Sequence, residues 1–252
     1  MSRRVLVVDD DPVNRLVAIA QVRELGDHAD GADSGEAALA ALAREPYDAV
    51  LLDCEMPGLD GYEICRRLRQ EGRHTRVIAL TAHTAAADRE RCLAAGMDGH
   101  LGKPVRGEDL AAVLERQPRD GAGLQPPPPA VPELIAERLA ALARLGEATG
   151  EDVLAEVVES FLQQGTKNLA ILRESLAGGD VAAFTAAAHS LAGSSGILGA
   201  ARLAVSCAEL EELARREDLA ACGSRLPSIE QSFRQTANEI YQRFVDTTHN
   251  NC

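Results

Sequence analysis

Apolar and polar positions along the chain fall into two regimes. Up to about residue 116, short apolar runs alternate with stretches of helical period. Arg4-Val-Leu-Val-Val8, Ala49-Val-Leu-Leu52 and Val77-Ile-Ala-Leu80 have the length and apolar content of strands buried on both faces. A weaker run at His28–Ala32 and a short one near Gly99–Leu101 make five candidate strands. Between them, Pro12 suits a first helical turn, and Val13, Leu16, Val17 and Ala20 keep a helical period behind it. Ser34 is placed to cap a helix that turns Leu39, Leu42 and Ala43 inward. Further helices are expected over residues 60–70, over 86–95 up to Gly96, and from Lys103-Pro104 to Arg116. Strand and helix alternate five times, which predicts an α/β doubly wound domain built on a five-stranded parallel sheet.

Periodicity stops at QPRDGAGLQPPPPAVP, residues 117–132, with six Pro and two Gly. That composition reads as a semi-rigid linker, spanning roughly 45–50 Å at ~3.1 Å per residue if extended. Beyond it only helical periods occur. Leu134, Leu139 and Leu142 mark a short helix, and Val153 through Leu176 a long one ending at Gly178-Gly179. Asp180 caps a third, Leu203, Leu210 and Leu213 lie on a fourth, and a fifth runs from near Leu226 to Phe244. Short connections between them predict an all-α antiparallel helical bundle. The expected boundaries are 1–117 for the α/β domain, 118–132 for the linker, 133–246 for the bundle and 247–252 for a tail.

Composition narrows the function. A length of 252 residues suits two domains. With 3% aromatic content and no Trp, their cores must come from Ala, Leu, Val and Ile. The net charge of −13 argues against non-specific binding to nucleic acid or to an anionic membrane surface. Neither half hides a basic module: residues 1–118 hold 15 Lys/Arg against 21 Asp/Glu, and the rest 11 against 18. Six scattered Cys give no disulfide framework or zinc spacing, which fits a reducing, cytoplasmic setting. No run approaches the ~20 apolar residues of a membrane span, and MSRRVLVVDDD turns acidic too soon for a secretory signal.

Polar residues end the strands. Asp9 and Asp10 follow the first, Asp53 ends the third, Thr81 the fourth, and Lys103 follows the fifth. All are expected at the carboxyl edge of the sheet, where open α/β sheets place their ligands. Three clustered carboxylates repel unless a cation sits among them, and oxygen-only ligands suit a hard ion such as Mg²⁺. A lysine and a hydroxyl opposite that ion suit phosphoryl oxygens, and phosphoryl transfer asks little beyond such positioning and charge neutralisation.

VLVVDDDPVNR, LLDCEMPGLDGYE, IALTAH and LGKP, in this order, resemble the receiver domain of two-component response regulators, with its flavodoxin-like strand order. The resemblance implies that Asp53 accepts a phosphoryl group from a sensor histidine kinase. It further implies that Asp9, Asp10, Asp53 and the backbone carbonyl of Glu55 bind Mg²⁺, that Thr81 and Lys103 meet the phosphoryl oxygens, and that Lys103-Pro104 is cis. His100 stands where the family usually has a switch aromatic.

In the second half, Phe184, Ala187, Ala188 and Leu191 share one face of the third helix. His189 lies about 140° from Phe184, on the solvent side among Thr185, Ala186, Ala192 and Gly193. HSLAGSSGILGA, residues 189–200, resembles the histidine phosphotransfer motif, usually H-x-L-K-G-S-S-x-x-x-G-A, with Ala192 in place of the usual Lys. The resemblance implies that His189 Nε2 carries a phosphoryl group exchanged with the aspartate of an upstream or downstream receiver that docks there. The reading is a phosphorelay intermediate with no kinase ATP-binding domain and no DNA-binding output domain. Its rivals are a phosphorylation-regulated binding module with His189 idle, and a phosphate sink for another pathway.

Overall fold

The computed structural model describes residues 2–81, 86–115 and 135–250, so the expected linker lies outside the described residues. The chain divides into two compact units. In the first, strands β1 (Arg4–Val8), β2 (His28–Ala32), β3 (Ala49–Asp53), β4 (Arg76–Thr81) and β5 (Gly99–Gly102) alternate with helices α1 (Pro12–Glu24), α2 (Gly35–Arg44), α3 (Gly61–Gln70), α4 (Ala86–Ala94) and α5 (Gly107–Glu115). The sheet is parallel throughout, in the order β2-β1-β3-β4-β5. This is the doubly wound, flavodoxin-like architecture expected from the alternation.

Successive strand residues point to opposite faces, and each face has its own helices. Leu6, Val8, Val50, Leu52, Val77 and Ala79 pack under Leu42 of α2 and Ile64, Cys65 and Leu68 of α3. Val5, Val7, Leu51, Ile78 and Leu80 pack under Ala18 and Val22 of α1 and Leu110 and Leu114 of α5. Caps set the helix starts. Ser34 accepts from the Ala37 amide at 3.4 Å, and Asp60 accepts from the Glu63 amide at 2.7 Å.

The second unit is helical: α6 (Ile135–Thr149), α7 (Val153–Gly178), α8 (Val181–Ile197), α9 (Ala201–Arg215) and α10 (Leu219–Asn250). Helices α7, α8, α9 and α10 pack on one another, and α6 lies against α7 and α10. Gly179, in the left-handed region at φ 71°, ends α7, and Asp180 caps α8 by accepting from the Ala183 amide at 3.0 Å. Phe161 and Phe233 meet with ring centroids 5.5 Å apart. The Phe233 ring lies so close to α7 that a Cβ at Gly165 would stand 2.2 Å from it.

Two helices differ from expectation. α6 passes Leu142 and runs to Thr149, because Gly146 is not a break: the Glu151 carbonyl packs where its Cβ would be, 2.6 Å away. α10 begins at Leu219, not near Leu226, and Pro227 sits inside it. Its start is set by Asp218, whose carboxylate accepts from the Ala221 amide at 3.0 Å. The helix also continues to Asn250, through part of the expected tail. Among the described residues, no helix is long and apolar enough to cross a membrane.

Candidate functional site

Strand register builds the first site. Val8 pairs with Leu52, so Asp9 and Asp53, one residue further, leave the sheet side by side. Asp53 in turn pairs with Leu80, which puts Thr81 one step beyond, and Thr81 pairs with Gly102, which puts Lys103 one step beyond that. The parallel sheet thus delivers all four residues to its carboxyl edge without any help from the loops. Lys103 Nζ lies 2.7 Å from Asp53 Oδ2 and 2.8 Å from Asp9 Oδ2, and all three side chains are buried. Burial pulls the ammonium toward losing its proton. The charges of Asp53 and Asp9, with the hydrogen bonds they accept, outweigh that and hold the Lys103 pKa above the ordinary lysine value. Lys103-Pro104 is cis.

Carboxylate oxygens of Asp9, Asp10 and Asp53 come within 4.8 Å of one another. With one lysine between the carboxylates, the cluster has the oxygen donors and the surplus negative charge that suit a hard divalent cation. The surrounding chain steadies it. Asn14 Nδ2 donates to Asp9 Oδ1 at 3.3 Å, Arg15 donates to the Asp9 carbonyl at 2.6 Å, and the Glu55 amide donates to Asp53 Oδ1 at 3.2 Å. Among the described residues, the buried Thr81 Oγ1 meets no hydrogen-bond partner, and neither does Nδ1 of the half-buried His100 on β5. Burial, with the charge of Arg89 added, holds its pKa below the ordinary histidine value.

The second site lies in the bundle. His189 is on α8, and its surroundings are not only the small residues of its own helix. Glu211 reaches it from α9, with Oε1 3.1 Å from His189 Nδ1, and Arg215 Nη2 lies 2.6 Å from the same oxygen. Glu211 is buried at 4% exposure, level with Leu203, Cys207, Leu210 and Ala214 on the inward face of α9. Burial, with the Glu211 charge added, pushes the Cys207 thiol up to about 12. Beside His189, Ser190 Oγ accepts from Asn168 Nδ2 at 2.9 Å, which joins α8 to α7. Ser194 and Ser195, prominent in the motif, are buried and bond back to the carbonyls of Ser190 and Leu191, so they serve the helix itself.

Asp9, Asp10, Asp53 and Lys103 therefore come together as the strand ends require, and Thr81 takes the adjoining strand end. Asn14, Arg15, Glu211 and Arg215 were not anticipated. For Glu211 a signal existed: it follows Cys207 by four residues, so a carboxylate occupies a core position of α9.

The model of the response regulator receiver domain matches residues 5–115, and that of the Hpt domain matches residues 156–240. The chain is 31% identical over 222 residues to the signal transduction histidine-protein kinase BarA of Shigella flexneri, covering 85% of this chain and 24% of that protein. It is 32% identical over 235 residues to the sensor histidine kinase GacS of Pseudomonas protegens, covering 86% and 25%. The chain thus spans about a quarter of the length of these relatives. Among solved structures, the receiver domain of the sensor histidine kinase PA1611 of Pseudomonas aeruginosa, with a magnesium ion coordinated in its active site cleft, is 40% identical. The match covers 47% of this chain and 98% of that one, at a TM-score of 0.44.

Proposed function

The chain belongs to the two-component signalling families, with a response regulator receiver domain over 5–115 and an Hpt domain over 156–240, and from that premise we propose how its two sites work as a phosphorelay intermediate. An Asp53 carboxylate oxygen attacks the phosphorus of a phosphohistidine on a sensor histidine kinase. The P–N bond breaks, its electron pair returns to the donor's ring nitrogen, and an acyl phosphate remains on Asp53. The observation that carries this reading is the Lys103 ammonium held 2.7 Å from Asp53 Oδ2, a buried cation at the oxygen that reacts. Lys103 orients the nucleophile and offers charge to the arriving phosphoryl oxygens. Thr81 Oγ1, buried and with no partner among the described residues, gains one when a phosphoryl oxygen arrives. Asp9, Asp10, Asp53 and the Glu55 carbonyl would hold Mg²⁺, whose role is to offset the charge of carboxylates and phosphoryl group together. His189 then exchanges the phosphoryl group with the aspartate of a docked receiver.

Mixing two full-length variants tests the relay. A His189→Gln chain, labelled on Asp53 with acetyl phosphate, serves as donor, and an Asp53→Asn chain serves as acceptor. Label should move to the acceptor in acid-labile, base-stable form, as a phosphohistidine does. A candidate histidine kinase in place of the donor should label Asp53 but leave Asp53→Asn unlabelled unless a separate receiver is added. If neither donor nor any added phosphoreceiver labels His189, the histidine is idle and the relay reading fails.

Ala192 sets the pace of that exchange. A lysine there would add a positive charge one turn from His189, toward the phosphoryl group and the acidic pocket of an incoming receiver. At this partly exposed position such a charge is worth about 1 kcal/mol, or roughly fivefold in rate. Ala192→Lys should speed transfer by about that factor, and more at low ionic strength. Transfer from a phosphorylated receiver, timed at two salt concentrations, measures it. An unchanged or slower variant at both would mean that Ala192 fits a partner surface and no charge is missing.

A further inference from the structure

We propose that Cys54 and Cys92 form a paired thiol site at which a hydroperoxide closes a disulfide, and that this bond ties α4 to the end of β3 and slows phosphorylation of Asp53. The crosslink goes beyond the relay reading, and only its effect on Asp53 rests on that reading. Both cysteines are free, and they come from different elements, Cys54 directly after β3 and Cys92 from α4. Their exposures are 2% and 0%, in the core they share with Ile64, Cys65 and Leu68 of α3. There the Cys54 thiol is in hydrogen-bonding contact with the Cys92 thiol and with the Tyr62 hydroxyl. Sulfur is a weak donor and a weak acceptor, so the contact itself adds little. An apolar side chain at either position would fill the core as well. What two facing thiols add is a covalent bond that apolar side chains cannot make.

With hydrogen peroxide as the oxidant, the first sulfur attacks one peroxide oxygen, the O–O bond breaks, and a sulfenic acid and water result. The second sulfur then attacks the sulfenic sulfur, the S–O bond breaks, and a second water leaves. The two thiols lose two electrons and two protons, and the peroxide takes up both. A dithiol reductant reverses the bond by exchange. Transient disulfides of this kind suit a reducing compartment. Burial disfavours the thiolate, which keeps the reaction slow and selects a small uncharged oxidant. A disulfide holds its sulfurs about 2.05 Å apart, well inside hydrogen-bonding contact, so the two elements must close up. Cys54 has little room to do so. Its amide donates to the Leu80 carbonyl at 3.2 Å, and its carbonyl accepts from the Gly61 amide at 3.4 Å. The strain therefore passes to α4 on one side and, through one peptide bond, to Asp53 on the other.

The test uses the full-length chain, reduced and then exposed to hydrogen peroxide. Free thiols are blocked with iodoacetamide in urea, and the peptides are mapped without reductant. A linked Cys54–Cys92 peptide, lighter by two hydrogens, should appear and should vanish with dithiothreitol. Labelling of Asp53 by acetyl phosphate and Mg²⁺ should slow about tenfold in the oxidised chain. It should recover with dithiothreitol, which does not reverse methionine oxidation. Cys54→Ala and Cys92→Ala should each lose the crosslink and the peroxide response, and Cys65→Ala, in the same core, should keep both. Thiols at 54 and 92 that stay free, or that pair with other cysteines, would overturn the site, and wild type alone shows this whether or not a variant folds. A crosslink that leaves labelling unchanged would overturn the regulation. If the reduced chain takes no label either, the reading of Asp53 fails, and the peptide map still decides the site.

Discussion

Asp53→Asn is expected to abolish acyl-phosphate formation outright, and removal of divalent cations is expected to do the same to the wild-type chain. An amide oxygen is a poor nucleophile, and the substitution also removes the charge that Lys103 faces at 2.7 Å. The cation requirement follows from the carboxylates of Asp9, Asp10 and Asp53 gathered within 4.8 Å, to which a dianionic phosphoryl group must be added. Incubating the full chain with acetyl phosphate, with and without EDTA, and counting hydroxylamine-labile phosphate decides both. Persistent label on Asp53→Asn would identify Asp9 or Asp10 as the acceptor. Lys103→Met separates the structural from the chemical part of the site. Removing one partner of a buried ion pair leaves uncompensated charge and costs about 3–5 kcal/mol, so the first unit should unfold at clearly lower urea. Mg²⁺ should restore part of that stability by replacing the lost cation, and it should not restore wild-type labelling, since the group beside the reacting oxygen is gone. Full recovery of both with Mg²⁺ would show that Lys103 contributes charge alone.

How legible this was in the sequence differs between the two sites. In the first unit each functional residue directly follows or ends a strand, and strands buried on both faces announce themselves as apolar runs. Locating Val8, Leu52 and Leu80 therefore locates Asp9, Asp53 and Thr81, because parallel strands bring their carboxyl ends to one edge. In the bundle the partners come from different helices, and a helical period states which residues face inward but not what they face. His189 was legible from its own motif. Its contact with Glu211 depends on how α8 and α9 are rotated against each other, which periodicity leaves open. The start of α10 was missed for a local reason. The cap that begins the helix is Asp218, eight residues before the expected start near Leu226, and the helix runs on through Pro227.

Gly61 lies inside the helix expected over residues 60–70, and its surroundings in the structure predict a second large effect. Gly61→Ala should both destabilise the first unit and slow phosphorylation of Asp53, although residue 61 touches no substrate. Gly61 is the first residue of α3, directly after the Asp60 cap, and its φ is one that any residue adopts. The constraint is space. A Cβ there would stand 2.2 Å from the Asp53 carbonyl oxygen, 3.0 Å from its carbonyl carbon and 3.1 Å from Cys54 Cα. All three are backbone atoms at the end of β3, with no flexible side chain to swing aside. Either the start of α3 or the end of β3 must move by about 1 Å, at a strain cost of about 1–3 kcal/mol. The end of β3 carries Asp53, and a misplacement of that size at a reacting group is worth about a hundredfold in rate. Gly107→Ala supplies the control, since a Cβ at that helix start meets nothing within 4 Å. It should leave the urea midpoint and the acetyl phosphate labelling rate within error of wild type, or raise the midpoint slightly. A Gly61→Ala chain that matches it in both measurements would show that β3 and α3 can part without disturbing Asp53, and that the glycine is not what sets the aspartate's position.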